Sequence, residues 1–115
     1  MLDALVLAEY EQISPGLAAE LAELFVEDVP MRLESLRSAL RQRDMRTVGQ
    51  LAHTLKGSSS NLGAFQLAST CAALQSATHD ASPSATAALV EAIARDWELV
   101  RDLLPAAVEA AMAEQ

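Results

Sequence analysis

Between residues 17 and 40 the apolar side chains Leu17, Leu21, Leu24, Phe25, Val29, Leu33, Leu36 and Leu40 recur mostly at steps of three and four. That spacing gathers one stripe on a helix of 3.6 residues per turn and scatters over both faces of a strand, so the stretch dictates a long amphipathic helix. A helix with one apolar face must bury it against other elements. The rest of the chain offers helices for the purpose: aromatics are 3% of the residues, Pro and Gly number four each, and Ala and Leu dominate. Such a composition favours helices over sheets, and the expected fold class is all-α.

Local punctuation divides the 115 residues. Ser14-Pro15 reads as an N-cap followed by a first-turn proline, opening the long helix over about 15–43, with a kink expected near Pro30. Asp44 is positioned to cap a second helix over about 45–60, on which Val48, Leu51, Ala52, Leu55, Ser59 and Leu62 share one side; the Ser58-Ser59-Ser60-Asn61 run and Gly63 mark its end. A third helix over about 63–79 carries Phe65, Leu67, Cys71 and Leu74 inward and ends in the loop from His79 to Ser82. Ser82-Pro83 repeats the cap-and-proline signal and opens a fourth helix over about 83–104, with Leu89, Ile93, Trp97, Val100 and Leu104 on its stripe. Leu104-Pro105 ends or bends that helix ahead of a helical tail, 105–115. Residues 2–12 form a short additional helix that closes one end. Four main helices with short connections predict an antiparallel up-down four-helix bundle, a single domain spanning 1–115.

The formal net charge of −8 and pI near 4.5 argue against nucleic acid or anionic membranes as partners, since both are bound mainly through Lys and Arg. No apolar stretch reaches the roughly eighteen residues a membrane-spanning helix needs, and Met1 is followed by Leu-Asp rather than a basic leader. A single cysteine, Cys71, makes no internal disulfide and is expected on the third helix's inward stripe. A soluble protein of the cytoplasm is the expectation. The charge is uneven: from Arg32 to Lys56 the six cations Arg32, Arg37, Arg41, Arg43, Arg46 and Lys56 face only Glu34 and Asp44, a local +4 against −12 for the remainder. A basic end on an acidic body suits an acidic docking surface. The plainer reading is that these arginines solvate the first helix, most of all Arg32 and Arg37.

One segment departs from plain bundle chemistry. On the second helix His53 lies well away from the Leu51, Leu55 and Leu62 stripe and is expected to face outward. Gly49 and Gly57 stand four residues before and after it, on the same face, and a glycine inside a helix costs about 1 kcal/mol relative to alanine. Two explanations stand level: access for a bulky partner to the imidazole, or close helix packing. Lys56, the only lysine in the chain, adds a cation one turn beyond His53, either a partner for phosphoryl oxygens or an ordinary solvated side chain. Arg46, seven residues before His53 on its face, is the best placed of the arginines.

The run Ala52-His53-Thr54-Leu55-Lys56-Gly57-Ser58-Ser59, continued by Leu62-Gly63-Ala64, resembles the signature of the histidine phosphotransfer family, and the resemblance spans roughly residues 2 to 104. It implies that His53 is the phospho-accepting histidine, Lys56 the lysine beside it, and Gly57 the small residue that gives a receiver domain room. It further implies that Gln75, on the next helix, holds Nδ1 of His53 and leaves Nε2 as nucleophile. The implied partners are response-regulator receiver domains, with a hybrid sensor histidine kinase as a further candidate. Gly49 and Ser60 join Arg46 and Gly57 as expected partner contacts, and apolar contacts are expected near Met45 and Leu62. The motif brings no carboxylate near His53 and there is no Walker sequence, so no intrinsic cofactor or metal is expected; Mg²⁺ and the aspartate come with the receiver.

Rival readings are weaker. A metal-dependent hydrolase lacks its signature, for there is no Glu-x-x-His pair, no His-Glu-x-x-His and no cysteine cluster, and His79 reads as a helix C-terminal residue. The phosphoacceptor hairpin of a sensor kinase dimerises to complete four helices, whereas this chain encodes four itself, so a monomer is expected. A docking-only adaptor for receiver domains remains as the alternative to transfer.

Overall fold

The computed structural model describes residues 2–80 and 82–113. Expectations touching residues 1, 81, 114 and 115, at the domain's edges, in the loop after His79 and at the end of the tail, lie outside the described residues. The chain forms five helices, α1 (Ala4–Ile13), α2 (Leu17–Arg41), α3 (Met45–Asn61), α4 (Phe65–Asp80) and α5 (Pro83–Ala113), and no strand among the described residues. Helices α2 to α5 touch in a ring, each packing on its sequence neighbour and α5 closing on α2, which is the up-down bundle; α1 packs on α5 and α2. The most extensive pairing is α3 with α4.

The core follows the apolar stripes. Leu36, Leu55, Leu67, Leu74 and Ile93 are fully buried, and Trp97 of α5 meets Phe25 of α2 edge-on, with ring centroids 5.2 Å apart. Two expected core residues are outside it. Leu24 is 61% exposed because the buried stripe of α2 runs through Ala18, Ala22, Phe25 and Val29, which leaves Leu24 on its flank. Phe65 is 51% exposed because it opens α4, beyond the layer that Ala64, Leu67 and Ala68 fill. Cys71 is buried, and desolvation, with Asp96 adding to it, pushes its thiol up to about 12.

The helix ends show which local signals are decisive. At Ser82-Pro83 the expectation holds: Pro83 is the first residue of α5, and the Ser82 hydroxyl and carbonyl accept from the Ala85 and Thr86 amides. At Ser14-Pro15 it does not. Ser14 is instead the C-cap of α1, α2 begins at Leu17, and its N-cap is Gly16 in the left-handed region at φ 87°, which offers no side chain. The missing acceptor comes from α1: the buried Glu11 carboxylate takes the Gly16 amide at 2.9 Å and the Ala18 amide at 3.2 Å. A carboxylate at a helix N-terminus gains from both the unpaired amides and the helix dipole.

Asp44 caps α3 as expected, accepting from the Thr47 amide at 3.1 Å and the Thr47 hydroxyl at 2.6 Å. Those two bonds, hydroxyl first, hold its carboxyl below the usual carboxylate range. Helix α3 ends in a Schellman turn: the Gly63 amide donates to Ser60 and the Ala64 amide to Ser59, with Gly63 at φ 80°. A Cβ on Gly63 would also lie 2.8 Å from the Asp3 carbonyl oxygen, so glycine is required twice over. Helix α2 ends the same way with Arg43, φ 56°, in the glycine position.

Neither internal proline interrupts its helix. Helix α2 is continuous through Pro30, and α5 runs through Pro105 to Ala113, so the expected boundary at residue 104 is replaced by one long helix. Both prolines are exposed. The carbonyls that lose their helical partners, of Val26 and Arg101, belong to exposed residues, where water is at hand to replace the lost bond.

Among the described residues one buried side-chain polar atom has no hydrogen-bond partner, the Ser59 hydroxyl on the inward face of α3. Ser59→Ala is expected to raise stability by about 1 kcal/mol, since it deletes an unsatisfied group and adds helix propensity. A thermal melt of the two proteins checks this; a lower midpoint for the variant would show that the hydroxyl is satisfied in solution.

Candidate functional site

Helix α3 alternates inward and outward residues around its midpoint. Ala52 and Leu55 are fully buried, and His53 between them is exposed. Across the α3–α4 seam Leu74 is buried and fixes the azimuth of α4, so that its neighbour Gln75 leans, half-buried, toward α3. The Gln75 amide nitrogen Nε2 lies 3.3 Å from Nδ1 of His53. A primary amide exchanges its oxygen and nitrogen by a half-turn about its last torsion, so the same contact serves an Nδ1 that accepts or an Nδ1–H that donates. No described residue bonds the other ring nitrogen, Nε2 of His53.

The histidine opens onto a hollow lined by Met45, Arg46, Gly49, Gln50, His53 and Thr54 of α3 and by Gln75, Thr78 and His79 of α4. No carboxylate lines it among the described residues. Of the residues singled out in the sequence, His53, Gln75, Arg46 and Gly49 thus come together here, along with Met45. Lys56, Gly57 and Ser60 do not line the hollow: Lys56 and Gly57 are exposed farther along α3, while Ser60 is half-buried and its carbonyl is engaged in the turn at Gly63. Leu62 is buried on a different face, where it borders a groove with Tyr10, Leu24 and Arg32.

The two glycines flanking His53 have different reasons to be there. A Cβ on Gly57 would meet nothing within 4 Å, which leaves packing no claim on it and keeps the approach beside His53 low. A Cβ on Gly49 would stand 3.3 Å from the Thr78 hydroxyl oxygen, so this glycine answers to the spacing of α3 against α4. Thr78 is a site-lining residue that sequence reasoning misses, and His79, read from sequence only as a helix C-terminal residue and found in the last turn of α4, lines the site as well. The available signal was their position, one turn beyond Gln75 on the same helix.

The basic stretch is thinner than its sequence suggests. Arg32 is bonded to Asp28 at 2.6 Å, Arg41 lies 3.6 Å from Glu34, and Arg37 reaches Glu91 of α5 with two bonds of 3.1 and 3.2 Å. The Arg37 pair, chiefly through its hydrogen bonds, lowers the Glu91 carboxyl and raises the arginine from their ordinary values. Arg43, Arg46 and Lys56 have no carboxylate within 4 Å among the described residues. Within this stretch the cations left available to an acidic partner are therefore these three, clustered on α3 and the turn that leads into it.

No helix among the described residues is long and apolar enough to cross a membrane. No curated protein sequence matches the chain. The crystal structure of histidine-containing phosphotransfer protein B (HptB) from Pseudomonas aeruginosa PAO1 superimposes on it with a TM-score of 0.87 and 33% identity, over 95% of each chain. The sequence profile of the Hpt domain matches residues 20–113, from the first turns of α2 to the end of α5. A profile match over most of the chain, together with a solved relative of 33% identity over 95% of its length, shows that the chain belongs to the histidine phosphotransfer (Hpt) domain family.

Proposed function

We propose that this protein relays a phosphoryl group between the aspartates of two receiver domains by carrying it on Nε2 of His53. The observation that supports the reading most directly is the 3.3 Å contact from Gln75 to Nδ1, which engages one ring nitrogen of an exposed histidine and leaves the other open. With Gln75 Oε1 turned to accept from Nδ1–H, the lone pair is on Nε2. That pair attacks the phosphorus of a receiver's phospho-aspartate, the acyl phosphate P–O bond breaks, and the carboxylate leaves. The resulting phosphohistidine carries positive charge in its ring, which the amide oxygen on Nδ1–H stabilises. Transfer to a second receiver runs the same step in reverse.

The neighbouring groups suit this role. Arg46 beside the hollow and Lys56 one turn from His53 are the cations for phosphoryl oxygens and for the acidic rim of a receiver, and the absence of a carboxylate lining keeps like charge away from the moving group. The Mg²⁺ that phosphoryl transfer employs belongs to the receiver in this reading. The functional unit is a monomer, because one chain supplies all four bundle helices.

The deciding experiment incubates the protein with phosphorylated, Mg²⁺-bound receivers and follows the label. Acid-labile, base-stable label on this chain supports the relay. A folded protein that binds receivers but takes no label from a broad panel would leave the docking-only adaptor as the better reading. Gly57 gives a graded check: Gly57→Ala is expected to raise stability by about 0.5–1 kcal/mol, having open space and a helical site. Gly57→Gln should keep that stability and slow labelling by roughly an order of magnitude or more, since a close approach to the histidine is obstructed. Equal labelling rates for glycine and glutamine would show that no partner closes over this position.

A further inference from the structure

We propose that Gly49 and Thr78 are positioning residues: together they set the spacing of α3 and α4 at the one value that lets Gln75 hold the His53 ring. The inference rests on the phosphoacceptor reading for its purpose but on the α3–α4 seam for its evidence. Thr78 stands three residues after Gln75, and its hydroxyl donates to the Gln75 carbonyl at 2.7 Å. The bond pins the hydroxyl in place, with its oxygen facing Gly49. An added Cβ at Gly49 would sit 3.3 Å from that oxygen and 3.9 Å from the Thr78 methyl. The first distance is inside ordinary van der Waals contact, so one side must yield by a few tenths of an ångström. Turning the threonine would break its bond to Gln75, which leaves a shift of α4 as the available response.

The Gln75 to His53 contact has no reserve for such a shift. At 3.3 Å it is already at the long end of hydrogen bonding, and a few tenths more carries it past about 3.5 Å, where the bond is lost. An alanine at position 49 therefore acts on the histidine through the spacing of α3 and α4, its methyl meeting Thr78. Once the bond is gone nothing else in the described structure fixes which ring nitrogen carries the proton. A fraction of the protein then presents a protonated Nε2 that cannot attack.

The readout is the ¹⁵N resonances of the His53 ring in the unphosphorylated protein, which report the tautomer whether or not any receiver is present. Wild type should show a single Nδ1–H tautomer. Gly49→Ala should show a mixture of tautomers with the helical content retained, and should accept label more slowly by about fivefold, the worth of one neutral hydrogen bond. Gly49→Ala/Thr78→Ala, which removes both atoms the new methyl meets, should return toward the single tautomer. An unchanged tautomer in Gly49→Ala, or no recovery in the double variant, overturns the proposal. Failure of the wild type to take label would refute the relay and leave the tautomer result standing, so the two failures are separable.

Discussion

His53→Gln is expected to reduce label uptake from a phosphorylated receiver to background while shifting the thermal midpoint by no more than about 2 °C. The small stability effect follows from position: the ring is exposed, its stripe neighbours Ala52 and Leu55 carry the packing, and glutamine is at least as good a helix former as histidine. The large chemical effect follows from nucleophilicity, for an amide nitrogen has no lone pair available to attack phosphorus. His79→Gln is the informative companion. His79 lines the same hollow, yet no hydrogen bond to its ring is found among the described residues, so that variant should label as the wild type does. Label retained on His53→Gln and lost on His79→Gln would move the acceptor to α4 and dismiss the relay as drawn.

The second large effect concerns folding. Glu11→Ala should lower stability by about 3 kcal/mol, or roughly 10–15 °C in the thermal midpoint of a chain this size. Two amide donors at the start of α2, those of Gly16 and Ala18, would lose charge-assisted acceptors at 2.9 and 3.2 Å, and the Ala18 amide is in the core where water cannot replace them. Gly16 has no side chain with which to compensate. Glu11→Gln keeps one carbonyl acceptor and should lose about half as much. Calorimetric melts of the three proteins at neutral pH decide it; a loss under 1 kcal/mol for Glu11→Ala would mean that the α2 terminus is solvated and the cap dispensable.

That cap also shows where reading the sequence stops. The bundle was legible because its information is periodic and local: the α3 stripe, the Asp44 cap and the Ser82-Pro83 start each declare themselves within a few residues. Ser14-Pro15 carries the same dipeptide as Ser82-Pro83 and means something different, because Glu11, a turn earlier, does the capping there. Pro105 reads in sequence as an end or a bend, because the rule weighs the lost hydrogen bond and not the exposure of the position, and α5 runs through it. His53, Lys56 and Gly57 were recognisable from a contiguous motif. The placement of Gln75 came from the family resemblance, and the geometry behind it, a contact between helices separated by 22 residues, has no local trace. Thr78 follows Gln75 by one turn, which places it on the same face, but its contact with Gly49 across the seam leaves no local trace either. The arginine cluster looked stronger in sequence than it is because the partner of Arg37, Glu91, lies 54 residues away.

The turn at Gly63 carries a consequence for the order in which this molecule assembles. Its carbonyl accepts the Asp3 amide at 2.9 Å, and Val6 comes so near that a Cβ on the glycine would lie 3.2 Å from it. The seat for the entry into α1 is thus made by a reversal some sixty residues downstream, which exists only after α3 has ended and α4 has folded back along it, while the rest of α1 packs on α5 and α2. Closing the long loop between residues 3 and 63 is entropically costly until the local α3–α4 hairpin is in place. The first helix in the chain is therefore expected to dock last and to open first, with amides of residues 4–13 exchanging with deuterium well ahead of those in α3.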